Sequence, residues 1–157
     1  MSNSIATANL NQTAQSTESI KLLVFEIGKL TLALPILQVQ KVIRQAEVHG
    51  SGLNYVNLAL TETEEVTVVD LHQKLFGVSL DRSSSNFLVL SKNDRGESLG
   101  IAVAKSPTLI DVSLERIRLL PNTYRRADTL EIASHVTVVT RGETSTTIFI
   151  LDLQRLI

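Results

Sequence analysis

Val66–Gly77 reads VTVVDLHQKLFG, and its grammar changes in the middle. Val66, Val68 and Val69 are β-branched and suit a buried, pleated strand. Asp70 then offers a short carboxylate that can cap the free N–H groups of a helical turn and sits at that turn's positive end. Leu71 and Leu75 are four apart and share one face of the turn. Gly77 can take the left-handed conformation that stops it. The stretch predicts a buried strand, an Asp cap, one or two helical turns and a stop.

The chain closes on the same grammar. Thr147–Leu156 reads TIFILDLQRL: Ile148 to Leu151 form a strand, Asp152 is the cap, and Leu153 and Leu156 share a face. DLHQKL and DLQRL are near copies about eighty residues apart, which predicts two similar halves. Strand–Asp junctions are common enough for two to coincide by chance, but the strands ahead of them also run in parallel order. Leu23, Phe25 and Ile27 alternate, Gly28-Lys29 makes a two-residue turn, and Leu30, Leu32 and Leu34 return. In the second half Phe87–Leu90, the polar tip Lys92–Glu97, and Leu99, Ile101 and Val103 repeat this hairpin with a longer tip.

Composition narrows the function classes. A chain of 157 residues makes one domain, or two small ones sharing a core, and at that length roughly two-thirds of the unfolded surface can be buried without staples. There is no cysteine, so disulfides, thiolate chemistry and Cys-ligated zinc are excluded, and a reducing compartment fits. A net charge of -1 provides no general field for nucleic acid or anionic lipid, and 4% aromatic residues leave few stacking platforms for bases. No apolar run reaches membrane-spanning length.

Met1–Ser19 is mostly Ser, Thr, Asn, Gln and Ala, with Ile5 and Leu10 as thin apolar anchors and Glu18 the one charged side chain, so a flexible tail is expected before a folded region over 20–157. Pro35 should open a short turn to Gln40 that runs into a strand near Lys41–Arg44. Spacing favours core packing for Val39; the alternative is a partly exposed residue covered by a partner. Glu47–Glu65 reads as loop, with TETEE at 61–65 a solvated hairpin tip. Asp81–Asn86 is polar and marks a joint between the halves near 78–86. Thr108–Val112 is a short strand, Ser113 caps a brief turn holding Leu114 and Ile117, Asn122–Asp128 is a polar loop, and Ile132 to Val139 begin a long strand turned by Arg141–Ser145. Short strands with frequent turns predict an all-β protein of two packed, pseudo-repeated small barrels.

The order of these pieces — hairpin, LPILQVQKVI, VNL, strand-DLHQKLFG, FLVL hairpin, SPTLIDVSLERIRLLP, strand-DLQRL — resembles the CheW family of chemotaxis adaptors and the matching regulatory domain of the CheA histidine kinase. The resemblance implies two five-stranded SH3-like barrels with short helical turns. It also implies a cytoplasmic, non-catalytic adaptor that couples a methyl-accepting chemoreceptor to a CheA-like kinase, with other CheW-like domains as further partners. The implied partner surface falls on Val39, Lys41, Asn54, Asn57, Leu58 and Ala59.

Several of those positions depart from the family pattern. Asn57-Leu58 remain from an expected Asn-Leu-Arg-Gly, but Ala59 and Leu60 stand in place of Arg and Gly. A family Gly falls at Asn54, which can still visit the left-handed region. Val39-Gln40-Lys41 replaces Val-x-Glu with a reversed charge, and Glu131-Ile132-Ala133 lacks the Gly often found there.

Little in the chain suggests catalysis. His49, His72 and His135 lack metal-ligand spacing. Ser83-Ser84-Ser85 has no nucleophile elbow. Asp70 and Asp152 are occupied as caps, and no Gly-rich phosphate loop is present. No catalytic residue, cofactor or metal is expected. Besides the adaptor, two readings stay open: a small-ligand module with its pocket between the barrels, and a nucleic-acid-binding barrel, which charge and aromatic content disfavour.

Overall fold

The computed structural model describes residues 18–44, 48–49, 55–61, 64–78, 87–121 and 131–156. The tail up to residue 17, Asn54, most of the expected joint and the loop Asn122–Asp128 lie outside the described residues. Twelve strands are described: β1 Ser19–Ile27, β2 Leu30–Pro35, β3 Val39–Arg44, β4 Val48–His49, β5 Val56–Leu60, β6 Glu65–Val69, β7 Phe87–Lys92, β8 Ser98–Val103, β9 Thr108–Ser113, β10 Arg118–Leu119, β11 Ala133–Arg141 and β12 Thr144–Leu151. Among the described residues one α-helix, α1, spans Leu71–Phe76, and 3-10 turns occupy Ile36–Gln38, Leu114–Arg116 and Leu153–Arg155.

The strand–Asp–turn grammar forms as expected in both places. Asp70 Oδ1 accepts from Gln73 N–H at 3.0 Å, and Gly77 ends α1 at φ 76°. Asp152 Oδ1 accepts from Gln154 N–H at 3.1 Å, and Leu153 and Leu156 are buried. Each Asp N–H also donates to the carbonyl just before the neighbouring strand: Asp70 to Tyr55 O at 2.7 Å, Asp152 to Ile132 O at 2.9 Å. These paired contacts show that the repeat is structural as well as textual.

Ser113 caps the 3-10 turn after β9 as expected, accepting from Glu115 N–H. Glu18 and Ser19, given to the expected tail, are part of the folded region. Ser19 pairs with Ser113 at the start of β1, and Glu18 O accepts from Leu114 N–H at 3.1 Å. The stretch read as loop from Glu47 to Glu65 holds β4 and β5, which pair antiparallel with each other, and β5 pairs with β6 along its whole length.

Two six-stranded sheets form, in the orders β9-β1-β2-β12-β11-β10 and β3-β7-β8-β6-β5-β4. Each holds five longer strands and one two-residue strand, matching the two packed five-stranded subdomains that the family resemblance implies. Shifting every strand number by six turns one order into the other. The sheets therefore do not follow the halves, as a joint at 78–86 between two barrels would require. The hairpin β1-β2 of the first half joins β9–β12 of the second, and the hairpin β7-β8 of the second joins β3–β6 of the first. The exchange is sealed by two equivalent parallel pairings, Phe149↔Leu32 between β12 and β2 and Thr67↔Leu99 between β6 and β8.

Strand alternation then builds three layers of core. Leu22, Ala33, Val112, Ile148 and Ile150 fill the inside of the first sheet. Ala59, Val66, Val68, Leu88, Leu90 and Ala102 fill the second. The opposite faces, including Phe25, Leu32, Val69, Val89, Ile101 and Leu151, meet between the sheets, sealed by Leu71 of α1 and by Leu153 and Leu156. Full burial of each such aliphatic side chain contributes roughly 1.5–3 kcal/mol relative to exposure. The space where a small-ligand module would keep its pocket is occupied by this shared core.

Candidate partner-binding surface

Pro35 ends β2 at φ −57°, and the 3-10 turn Ile36–Gln38 carries the chain from the first sheet to the second. The turn splits its side chains. Ile36 packs against the shared core, while Leu37 is 94% exposed. Val39 is half-buried against that core and pairs with Ser91, as its spacing indicated. A register shift between Val39 and Lys41 then changes the phase of β3. Lys41 is exposed and pairs with Leu90, Val42 is 39% exposed opposite Val89, and Ile43 packs into the second subdomain. Arg44 lies over the Phe87 ring, 5.8 Å from its centroid. Among the described residues neither Lys41 nor Arg44 is in an ion pair. The result is an exposed strip, Leu37–Arg44, that is both apolar and basic.

The second group sits on β5. Asn57 is half-buried opposite Val68, and Leu58 is 46% exposed opposite Thr67. Ala59 is fully buried, packed with Val66 and Val68 inside the second subdomain. It offers no side chain to a partner, because the strand's alternation sends it to the face opposite Leu58. Tyr55, the residue just before β5, is anchored by its hydrogen bond from Asp70 N–H and by Lys74 Nζ, 4.2 Å from the Tyr55 ring centroid.

β3 and β5 do not pair; β7, β8 and β6 stand between them in the sheet. The candidate residues thus form two patches, Leu37–Lys41–Val42 and Leu58. Leu37 and Val42 were not singled out from the sequence. Leu37 falls out of phase with the Ile36, Val39, Ile43 spacing, and that is the signal that marks it.

A groove of about 230 Å³ lies on the first subdomain, lined by Glu115, Arg116, Arg118, Val136, Thr137 and Val138. It is smaller than the roughly 300–1,000 Å³ usual for small-molecule sites, and Thr137 Oγ1 is committed to Arg116 O at 2.9 Å. Among the described residues no group of three or more His, Asp or Glu could hold a metal ion, and no helix is long and apolar enough to cross a membrane.

Fold and surface together define an all-β chain of two hairpin-exchanged subdomains with an exposed apolar and basic strip. The family model described as CheW-like domain matches residues 21–157, and the chain belongs to that family. Among solved structures it is similar to the scaffolding protein TtCheW from Thermoanaerobacter tengcongensis. The two share 14% identity at a TM-score of 0.70, over 87% of this chain and 86% of that one. No curated protein matches.

Proposed function

We propose that this protein is a non-catalytic chemosensory adaptor that couples a chemoreceptor to a CheA-like histidine kinase, in the cytoplasm. Membership of the CheW-like family supports the reading, and the observation that carries it is the strip Leu37–Arg44. A nearly fully exposed leucine and a partly exposed valine flank a lysine without an ion pair among the described residues. Exposed apolar side chains rimmed by charge mark a surface that gains from being covered.

Lys41 stands where the family usually has an acid, so the partner opposite it carries acidic side chains. The contact surface comprises Leu37, Val39, Lys41, Val42 and Leu58, with Asn54 as a further position; Asn57 is left out because it shares the inward face of β5 with Ala59. Ala59 is left out because it is buried.

The test is affinity capture from the native host with the wild-type chain and with Leu37→Ser/Lys41→Glu, read by mass spectrometry. A histidine kinase or a chemoreceptor should be enriched on the wild type and depleted on the variant. Equal enrichment on both, or enrichment of ribosomal or DNA-bound proteins, would refute the proposed surface or the adaptor reading respectively.

A further inference from the structure

The exchange of hairpins has a consequence for how copies of this chain can associate. Within the first half, described pairings join β1 to β2, β4 to β5 and β5 to β6. Within the second half they join β7 to β8, β10 to β11 and β11 to β12. Among the described residues no pairing connects either hairpin to the meander of its own half. The pairings that complete each sheet all cross between the halves: β1 with β9, β2 with β12, β3 with β7, and β6 with β8.

The cores are divided in the same way. Inside the first subdomain Leu22 and Ala33 come from one half and Val112, Ile148 and Ile150 from the other. Inside the second, Ala59, Val66 and Val68 meet Leu88, Leu90 and Ala102. The halves therefore relate to each other as the subunits of an obligate dimer do, joined covalently only through the segment between Val78 and Phe87.

We propose that a second copy of this chain is a partner through reciprocal exchange of halves, with residues 18–77 of each copy folding onto residues 87–156 of the other. Every strand pairing and every buried contact of the single chain is reproduced in such a dimer. What distinguishes the two forms is the connection, which gives the halves of one chain a high effective concentration for each other. Its sequence between Val78 and Phe87, SLDRSSSN, is polar and contains neither Pro nor Gly. The exchanged dimer presents two Leu37–Arg44 strips. In each, β3 of one chain lies against β7 of the other, so a single particle offers two partner surfaces. The proposal does not depend on what binds those surfaces.

Two full-length variants test it. Leu32→Asp places a charge at a buried position of the first half, and Leu151→Asp does so in the second. Each chain alone should fail to fold, because both sheets need both halves. Unfolded together in urea and refolded at high chain concentration, the intact first half of one should pair with the intact second half of the other. Circular dichroism should then show a cooperative thermal transition of about half the wild-type amplitude, and light scattering a species of twice the 17.2 kDa chain mass. If either variant folds alone, Leu32→Asp/Leu34→Asp and Ile150→Asp/Leu151→Asp replace them. A mixture with no more folded signal than its separate components, or one that aggregates without a cooperative transition, overturns the proposal.

Discussion

The tip of the first hairpin touches the end of α1 through Gly28 and Phe76: a Cβ on Gly28 would lie 2.7 Å from Phe76 Cε2, and Gly28 holds φ 57°. The absence of a side chain thus serves both the left-handed turn and the approach of the helix. Gly28→Ala should destabilise by about 1–2 kcal/mol from backbone strain, with a further increment from the ring. Phe76→Ala in the same background should recover the ring's share and leave the backbone share. Urea unfolding of the four chains of this cycle measures both, and an unchanged Gly28→Ala cost without the ring would show that the contact carries no energy.

The two Asp caps should behave alike and act locally. Asp70→Ala and Asp152→Ala each remove a cap and should each cost about 1 kcal/mol, with Asn substitutions losing less. Asp152 also meets Arg155 Nε at 3.2 Å, but that pair is partly exposed and contributes little. Neither change should alter partner binding. A binding loss at an unchanged unfolding midpoint would give the carboxylates a role other than capping.

Ser91 should be a site of gain. It is fully buried, and its Oγ has no hydrogen-bond partner among the described residues. The equivalent place in the first sheet is held by Phe25: Phe25 pairs with Leu32, and Ser91 pairs with Leu99. Ser91→Ala removes an unsatisfied hydroxyl and should stabilise by about 1 kcal/mol. A lower melting temperature would indicate that the hydroxyl is satisfied in solution.

Ala59→Arg illustrates a family residue that this chain cannot simply regain. The side chain at 59 is enclosed by Val66, Val68, Leu88 and Leu90, so a guanidinium there is buried without a partner. The variant should lose about 3 kcal/mol or more, or fail to fold. Circular dichroism of Ala59→Arg against Leu58→Arg separates the positions, since Leu58 is exposed and tolerates the charge. Equal stability of the two would place residue 59 at the surface.

Local features of the fold were readable from residues. Gly28-Lys29, the alternation of Leu23, Phe25 and Ile27, and both strand–Asp–turn junctions depend on contacts within a few positions, and their residue types report them. Which hairpin joins which meander was not readable, because alternation tells a strand to bury one face without naming its neighbour. The phase of β5 was hidden for a related reason. Asn57 and Ala59 face one way and Leu58 the other, although polarity alone would put Asn57 outside. Leu37 carries the same lesson in reverse, an apolar side chain left in solvent where the turn at Ile36–Gln38 points it away from the core.

If the Leu37–Arg44 strip is the partner surface, Lys41 meets an acidic patch on the partner. Calorimetric titration of the captured kinase with wild type and Lys41→Glu, at low and at high salt, measures this contact. Lys41→Glu should weaken binding at low salt, and the difference should shrink as salt rises, because an exposed charge acts over a Debye length of roughly 10 Å at 0.1 M. Equal affinities at low salt, with both chains folded by circular dichroism, would show that Lys41 lies outside the partner surface.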